Sequence, residues 1–378
     1  FRNLAYSPSP KNRQDVGCSD IVKGELYPWG WESMDYDDAP WSKSRMLGRG
    51  QAYGTGSGYD WVLTKRDIPL MEETFQRMQK IRRSENLTIS DSFLKGGQSV
   101  TIPAGQKASF LIDQTFLTTA YPELHVSGGK GSSIQLTYSE ALFNKEGKAN
   151  RNDIEGRQVV GFTDIFYPDG ADSRLFRPLW FKTYRYIQVD IETSDEALVL
   201  TDLFGIYTSY PFKENASFES NEAGIKDIWE VGWRTARLCA HETYFDCPYY
   251  EQLQYVGDTR IQALISLYVD GDDRLMKKAI RMFDWSRTYE GITASRYPSR
   301  VPQYIPPFSL YWVNMVHDYW MHRDDAEFVK SCLPGVKTIL TWFEDKVDPN
   351  TGLLGAMPHW NFTDWPKEWP WDSWDIPN

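Results

Sequence analysis

At about residue 212 the hydrophobic period of the chain changes from two to 3.6, and no single layer of secondary structure can satisfy both halves. Before that point, SIQLTYSEAL alternates, with Ile134, Leu136 and Tyr138 on one face. YRYIQVDIET does the same, with Tyr184 and Tyr186 expected on one face and Ile187, Val189 and Ile191 on the other. Gly, Asn and Asp clusters such as SGGKGSS and NKEGKANRND separate these runs, so residues 87–212 are expected to form an antiparallel β-sandwich. After YPFKENASFESN, the stretch NEAGIKDIWEVGWRTARLCAHE has a broad apolar helical face through Ile225, Ile228, Trp229, Val231 and Leu238. TRIQALISLYV, DRLMKKAIRMFDWSRTY, SLYWVNMVHDYWMHR and AEFVKSCLPGVKTILTWFEDKV follow, giving about five helices in residues 213–378. Residues 1–68 read as a partial, β-rich accessory domain with many loops, and 69–86 as a linker with a short helix, because PLMEETFQRMQKIRR is rich in helix formers.

The formal net charge of -11 and the lack of any basic stripe argue against a nucleic-acid partner. No window approaches eighteen consecutive apolar residues, so no membrane span is expected. The opening FRNLAYSPSP has no charged and then apolar leader pattern, so a signal peptide is not expected within it. Cys18, Cys239, Cys247 and Cys332 fit neither a zinc pattern nor a dense disulfide framework, and no metal or cofactor is expected. Aromatics make up 15% of the residues, with 16 Trp and 22 Tyr, which exceeds what cores need and suits flat apolar sugar faces.

Chemistry concentrates in HETYFDCPYYEQLQYVGD, which sets Glu242, Asp246, Glu251 and Asp258 among Tyr244, Phe245, Tyr249, Tyr250 and Tyr255. Burial against rings raises a carboxyl pKa because the charged form loses hydration, and a general acid must keep its proton near neutral pH. Glu251, flanked by Tyr249, Tyr250 and Tyr255, best fits that role, with Asp246 and Asp258 ionised and accepting sugar hydroxyls. Asp246-Cys247-Pro248 reads as a helix start, since Asp caps free N–H groups and Pro is accepted in the first turn. On one continuous helix Glu251 and Asp258 would share a face about 10 Å apart along the axis, although Gly257 allows a new helix to begin at Asp258. The plainer alternative for the same residues is a cap at Asp246 and a helix start at Asp258.

DCPYYEQLQYVGD resembles the signature of the bacterial α-L-rhamnosidases of glycoside hydrolase family seventy-eight, an Asp-Cys-Pro-x-Arg run with an acid, followed by Gly-Asp. FRPLWFKTYRYIQV, closing the strand-rich part, and WNFTDW, similar to a later Phe-x-Asp-Trp element, extend the resemblance over most of the chain from about residue 65. It implies β-sandwich domains followed by an (α/α)6-type barrel, and an inverting hydrolase that removes terminal α-L-rhamnose from oligosaccharides or glycosides by general acid–base catalysis. By motif position it implies Glu251 as the general acid, Asp246 and Asp258 as ligands of rhamnose hydroxyls, and Asp364 and Trp365 as pocket-shaping residues. Tyr255 and Trp360 are taken with them as sugar-contacting rings. The chain departs from the pattern at Tyr250, where the family often has Arg. A twelve-helix barrel needs more than the five helices counted, so the general base and the late helices are expected outside this sequence, leaving an incomplete catalytic domain that binds sugar weakly and hydrolyses little. The alternatives are another α/α-barrel exo-glycosidase and a non-catalytic carbohydrate-binding protein.

Other constellations are less telling. His241, Glu242 and Asp246 lack a third metal ligand at sensible spacing, and His317 and His322 are five apart and share a helix face poorly. His359 precedes Trp360 in an expected loop, and GRGQAYGTGSG lacks the strand–loop–helix context of a phosphate site. Trp360, Trp365, Trp369, Trp371 and Trp374 crowd one segment and suit either loop packing or sugar stacking. Asn86, Asn215 and Asn361 stand in glycosylation sequons that also arise by chance.

Overall fold

The computed structural model of the protein describes residues 5–8, 16–46, 48, 51–52, 62–63, 65–355 and 357–362. The chain divides into two compact units, one of residues 1–66 and 73–208, the other of 67–72 and 209–378.

The first unit is built on one long strand, Lys107–Gly128, whose two halves have different neighbours. Lys182–Glu192 pairs antiparallel with it on both sides of a break, at Lys107–Asp113 and Thr118–Ala120; Lys80–Glu85 pairs with it only before the break, and Arg174–Phe176 and Leu198–Ser209 only after it. The exchange falls where Thr115 adopts a positive φ of 70° and its N–H donates to Asp113 Oδ1 at 2.7 Å. Asp113 also receives Arg82 Nη1 at 2.6 Å and Arg185 Nε at 3.1 Å, so a nearly inaccessible carboxylate is fully paired at the point where the ladder breaks.

That break alters one expectation. Ile134, Leu136 and Tyr138 line the core together, as the alternation in Ser133–Ser139 predicts. Tyr184 and Tyr186, expected on a common face, do not share one. The register jumps between them, and Tyr184 enters the main core with Ile187 and Val189 while Tyr186 packs with Leu111, Leu142 and Ile154. The expected linker helix in 69–86 is also replaced, by strands Glu72–Gln76 and Lys80–Glu85. Pairing of Ile81 with Ile112 and of Ser84 with Phe110 satisfies the backbone in a sheet, and this tertiary partner outweighs helix propensity. In the region expected to form a separate accessory domain, Tyr6–Pro8 and Asp20–Lys23 belong to the same sheet, the latter running parallel to Phe162–Tyr167. One short helix, α1 (Asp91–Leu94), is capped by the Ser90 hydroxyl and buries Phe93 and Leu94.

The second unit is helical: α2 (Ile225–Leu238), α3 (Val256–Val269), α4 (Arg274–Trp285), α5 (Pro306–His322) and α6 (Ala326–Glu344). All five fall on segments that the 3.6-residue period predicts. Pro at the first turn starts α5, and the Asp325 carboxylate caps α6 through Phe328 N–H at 3.2 Å. The core centres on Trp312 of α5, fully buried, with its indole N–H donating to Ile280 O at 2.9 Å. Gly335 lets α6 approach, since a Cβ there would lie 2.9 Å from the Trp312 ring and 2.5 Å from Asp284 Oδ1. Ile68, from the stretch that joins this unit from earlier in the sequence, is buried in the same core.

Candidate active site

The residues between α2 and α3 form a compact loop held by its own backbone rather than the expected helix. Phe245 N–H donates to Cys239 O at 2.8 Å, and Asp246 N–H to Leu253 O at 3.0 Å. Gln252 Nε2 donates to Pro248 O at 2.9 Å. These bonds use the groups a helix would need, so Asp246 does not cap one, and α3 starts only at Val256. Asp258 then stands in the first turn of α3, where the helix dipole favours a negative charge. Gly257 leaves room for Phe308, whose ring edge would lie 3.2 Å from any Cβ at that position.

A cavity of about 640 Å3 opens beside this loop. Asp246, Glu251 and Asp258 line it together with Tyr255 and Trp360, so five of the seven residues singled out from the sequence meet there. Asp364 and Trp365 lie outside the described residues. Phe308, Tyr311 and Phe362 complete an apolar wall, with Phe362 set 4.8 Å from the Trp360 ring and 6.1 Å from Phe308. Gln303, Arg260 and Arg296 add polar groups that sequence reasoning missed. Arg296 arrives through a short backbone pairing: Val256 N–H donates to Ser295 O and Tyr297 N–H to Gln254 O, each at 3.0 Å. No periodicity or motif marks that segment, forty residues downstream of Tyr255.

The charge state of the cavity differs from the sequence expectation. Asp246, expected to be ionised, is pushed up to about 8, first by burial, then by its hydrogen bond to the Glu251 carboxyl and by the charges of Glu251 and Asp258; the Cys247 N–H opposes this. One Asp246 oxygen, Oδ1, is buried with no hydrogen-bond partner among the described residues. Two carboxyls in contact cannot both ionise cheaply, so near neutral pH the Asp246–Glu251 pair holds one proton between them. Burial, then the Glu251 charge, push the Tyr255 phenol up to about 12 against the opposing charge of Arg296. Its proton is therefore retained.

Nearby groups are chemically silent. Burial pushes the Cys239 thiol up to about 12 and the Cys247 thiol to about 11, so neither offers a thiolate nucleophile. Burial drives His241 down to about 3, leaving a neutral ring stacked on Phe245 at 5.2 Å. His322 bonds the Asp318 carbonyl and the Tyr268 hydroxyl, and His359 sits beside the Tyr304 ring. Among the described residues no group of three or more His, Cys, Asp or Glu side chains is placed to hold a metal ion, and no helix is long and apolar enough to cross a membrane.

Residues 213–376 match the family model of the bacterial alpha-L-rhamnosidase 6 hairpin glycosidase domain. No curated protein matches the chain. Among solved structures, the family GH78 rhamnosidase of Bacillus sp. GL1 is similar with a TM-score of 0.64 and 23% identity, over 74% of this chain and 29% of that one. The Klebsiella oxytoca rhamnosidase with rhamnose bound gives 0.63 and 14% identity, over 78% and 60%. The Streptomyces avermitilis alpha-L-rhamnosidase complexed with L-rhamnose gives 0.63 and 18%, over 87% and 29%. The chain thus spans less than two thirds of the length of each of these proteins. The fold of the chain is thus similar to that of these rhamnosidases, and residues 213–376 match the family model of the six-hairpin glycosidase domain of bacterial alpha-L-rhamnosidases.

Proposed function

We propose that this chain carries the sugar-recognising, proton-donating side of an α-L-rhamnosidase site that inverts the anomeric centre, within a β-sandwich and part of an (α/α)6-type barrel. The observation that carries the reading is that Asp246 and Glu251 meet on the wall of a cavity lined by aromatic rings, where burial and the Glu251 carboxyl raise the Asp246 carboxyl. In this account the ring of a terminal rhamnose lies against the aromatic wall of Trp360 and Tyr255. Asp258 accepts from a sugar hydroxyl.

The proton moves from Asp246 to Glu251 and from Glu251 to the departing glycosidic oxygen. The bond between C1 and that oxygen breaks with its electron pair on the oxygen. Water adds to C1 from the opposite face, its proton taken by a second carboxylate about 6.5–9.5 Å from the acid, the separation an inverting reaction requires. Glu251, reaching the leaving oxygen, is the catalytic acid; Asp246 acts through it and is a positioning residue.

The test is calorimetric titration of the full chain with L-rhamnose, alongside hydrolysis of 4-nitrophenyl α-L-rhamnoside. Saturable L-rhamnose binding that survives in Glu251→Gln, with any hydrolysis lost in that variant, supports the reading. No binding of L-rhamnose, or hydrolysis that persists unchanged in Glu251→Gln, contradicts it.

A further inference from the structure

Two cations line the cavity, and they are placed differently. Arg260 has a carboxylate partner, Nε donating to Asp318 Oδ2 at 2.7 Å. Arg296, only 9% exposed, donates from Nη1 to the Tyr255 hydroxyl oxygen at 2.8 Å, its guanidinium 5.7 Å from the centre of that ring. Among the described residues it has no carboxylate partner, and its Nε is buried with no acceptor at all. A guanidinium offers five donors in a rigid fork, and leaving a buried one unused disfavours the empty fold. Nothing about the backbone demands this residue type. The position of Arg296 is set by the main-chain pairing of 254–256 with 295–297, which any side chain would permit.

The hydrogen-bond polarity of the cavity shows what such a group is suited to. Glu251 and Asp258 offer acceptors, and the proton on Asp246 is engaged with Glu251. A sugar hydroxyl both donates and accepts, so a pocket of acceptors alone satisfies half of it. Tyr255 accepts from Arg296, which leaves its own O–H proton free to point elsewhere. We propose that Arg296, through its guanidinium, and Tyr255, through its hydroxyl, are the donors that bind ring hydroxyl oxygens of a neutral monosaccharide, and that Arg296 sets which hydroxyl pattern the pocket accepts. This rests on the sugar-binding reading above and names the specificity residue of the same cavity.

The experiment is a cycle in which protein and ligand groups are removed separately and together. The full chain, Arg296→Met, Arg296→Lys and Tyr255→Phe are titrated calorimetrically with L-rhamnose, its three monodeoxy analogues, L-mannose and D-glucose. Arg296→Met is expected to weaken L-rhamnose binding about tenfold or more. At one ring position, the deoxy analogue that binds the wild type less well than L-rhamnose should bind Arg296→Met as well as L-rhamnose does. Arg296→Lys keeps the charge without the planar fork of donors and should lose the same discrimination. It carries the test should the Met variant fail to fold. Unchanged discrimination at every hydroxyl, in a variant with the wild-type melting temperature, overturns the role of Arg296 while leaving the sugar site intact. A wild type that binds L-mannose or D-glucose but not L-rhamnose refutes the rhamnose reading and leaves Arg296 to be judged on the sugar that binds. A wild type that binds no sugar of the set overturns both.

Discussion

Asp246 donates its backbone N–H to the carbonyl of Leu253 at 3.0 Å, and this one bond folds the loop back so that the Asp246 carboxyl lies against that of Glu251, five residues on. In a helix, at 3.6 residues per turn, the two side chains would point about 140° apart, and the shared proton would not exist. The loop therefore sets the electrostatics of the cavity.

The first prediction concerns pH and stability. Asp246 is raised in the folded state from 3.8 to about 8, so folding favours its protonated form. That contribution is fully present below about pH 4 and is lost as the pH rises through about 8. Asp246→Asn has no such proton to lose. The melting temperature of Asp246→Asn relative to the wild type should thus climb between pH 5 and pH 9, measured by circular dichroism in matched buffers. A difference that stays flat over this range contradicts the assignment.

In the first unit, Asp164 is fully buried and receives Tyr138 Oη at 2.8 Å, Asp20 N–H at 2.8 Å and Lys182 Nζ at 3.1 Å. Lys182→Met removes the cation beside Asp164 and leaves a buried carboxylate uncompensated. We expect a loss of roughly 3–5 kcal/mol in denaturant unfolding. A loss under 1 kcal/mol would mean that hydrogen bonds alone hold the charge.

In the second unit, Gly335→Ala places a methyl group where the Trp312 ring and the Asp284 carboxylate already lie. Overpacking of that kind costs about 1–3 kcal/mol. A variant as stable as the wild type would show that α5 and α6 are less tightly apposed than described.

Much of this architecture is legible in the sequence, for identifiable reasons. Helix α4 follows from apolar spacing because it buries one broad stripe through Leu275, Ala279 and Phe283, whereas α2 buries only Trp233 and Leu238 and leaves Ile228 and Val231 of its expected apolar face exposed. The strand Ser133–Ser139 follows from strict alternation for the same kind of reason. Residues 72–85 mislead because their composition favours helix while a distant strand supplies the pairing. Tyr184 and Tyr186 mislead because alternation cannot show a register jump fixed by Asp113 and Arg185. Within the cavity, the acids are visible as a dense local cluster. Their proton is not, because it depends on a loop closed by Leu253. Arg296 is invisible because only tertiary pairing brings it to Tyr255.

The most direct test of the account is a carbon-13 NMR titration of the Asp246 carboxyl, with aspartate labelled at Cγ and Asp246→Asn used to assign the signal. The account predicts a midpoint near 8 in the wild type and a lower one, still above 3.8, in Glu251→Gln, where the neighbouring charge is gone but burial remains. A midpoint near 4 in the wild type, unmoved by Glu251→Gln, would contradict the shared proton on which the proposed chemistry depends.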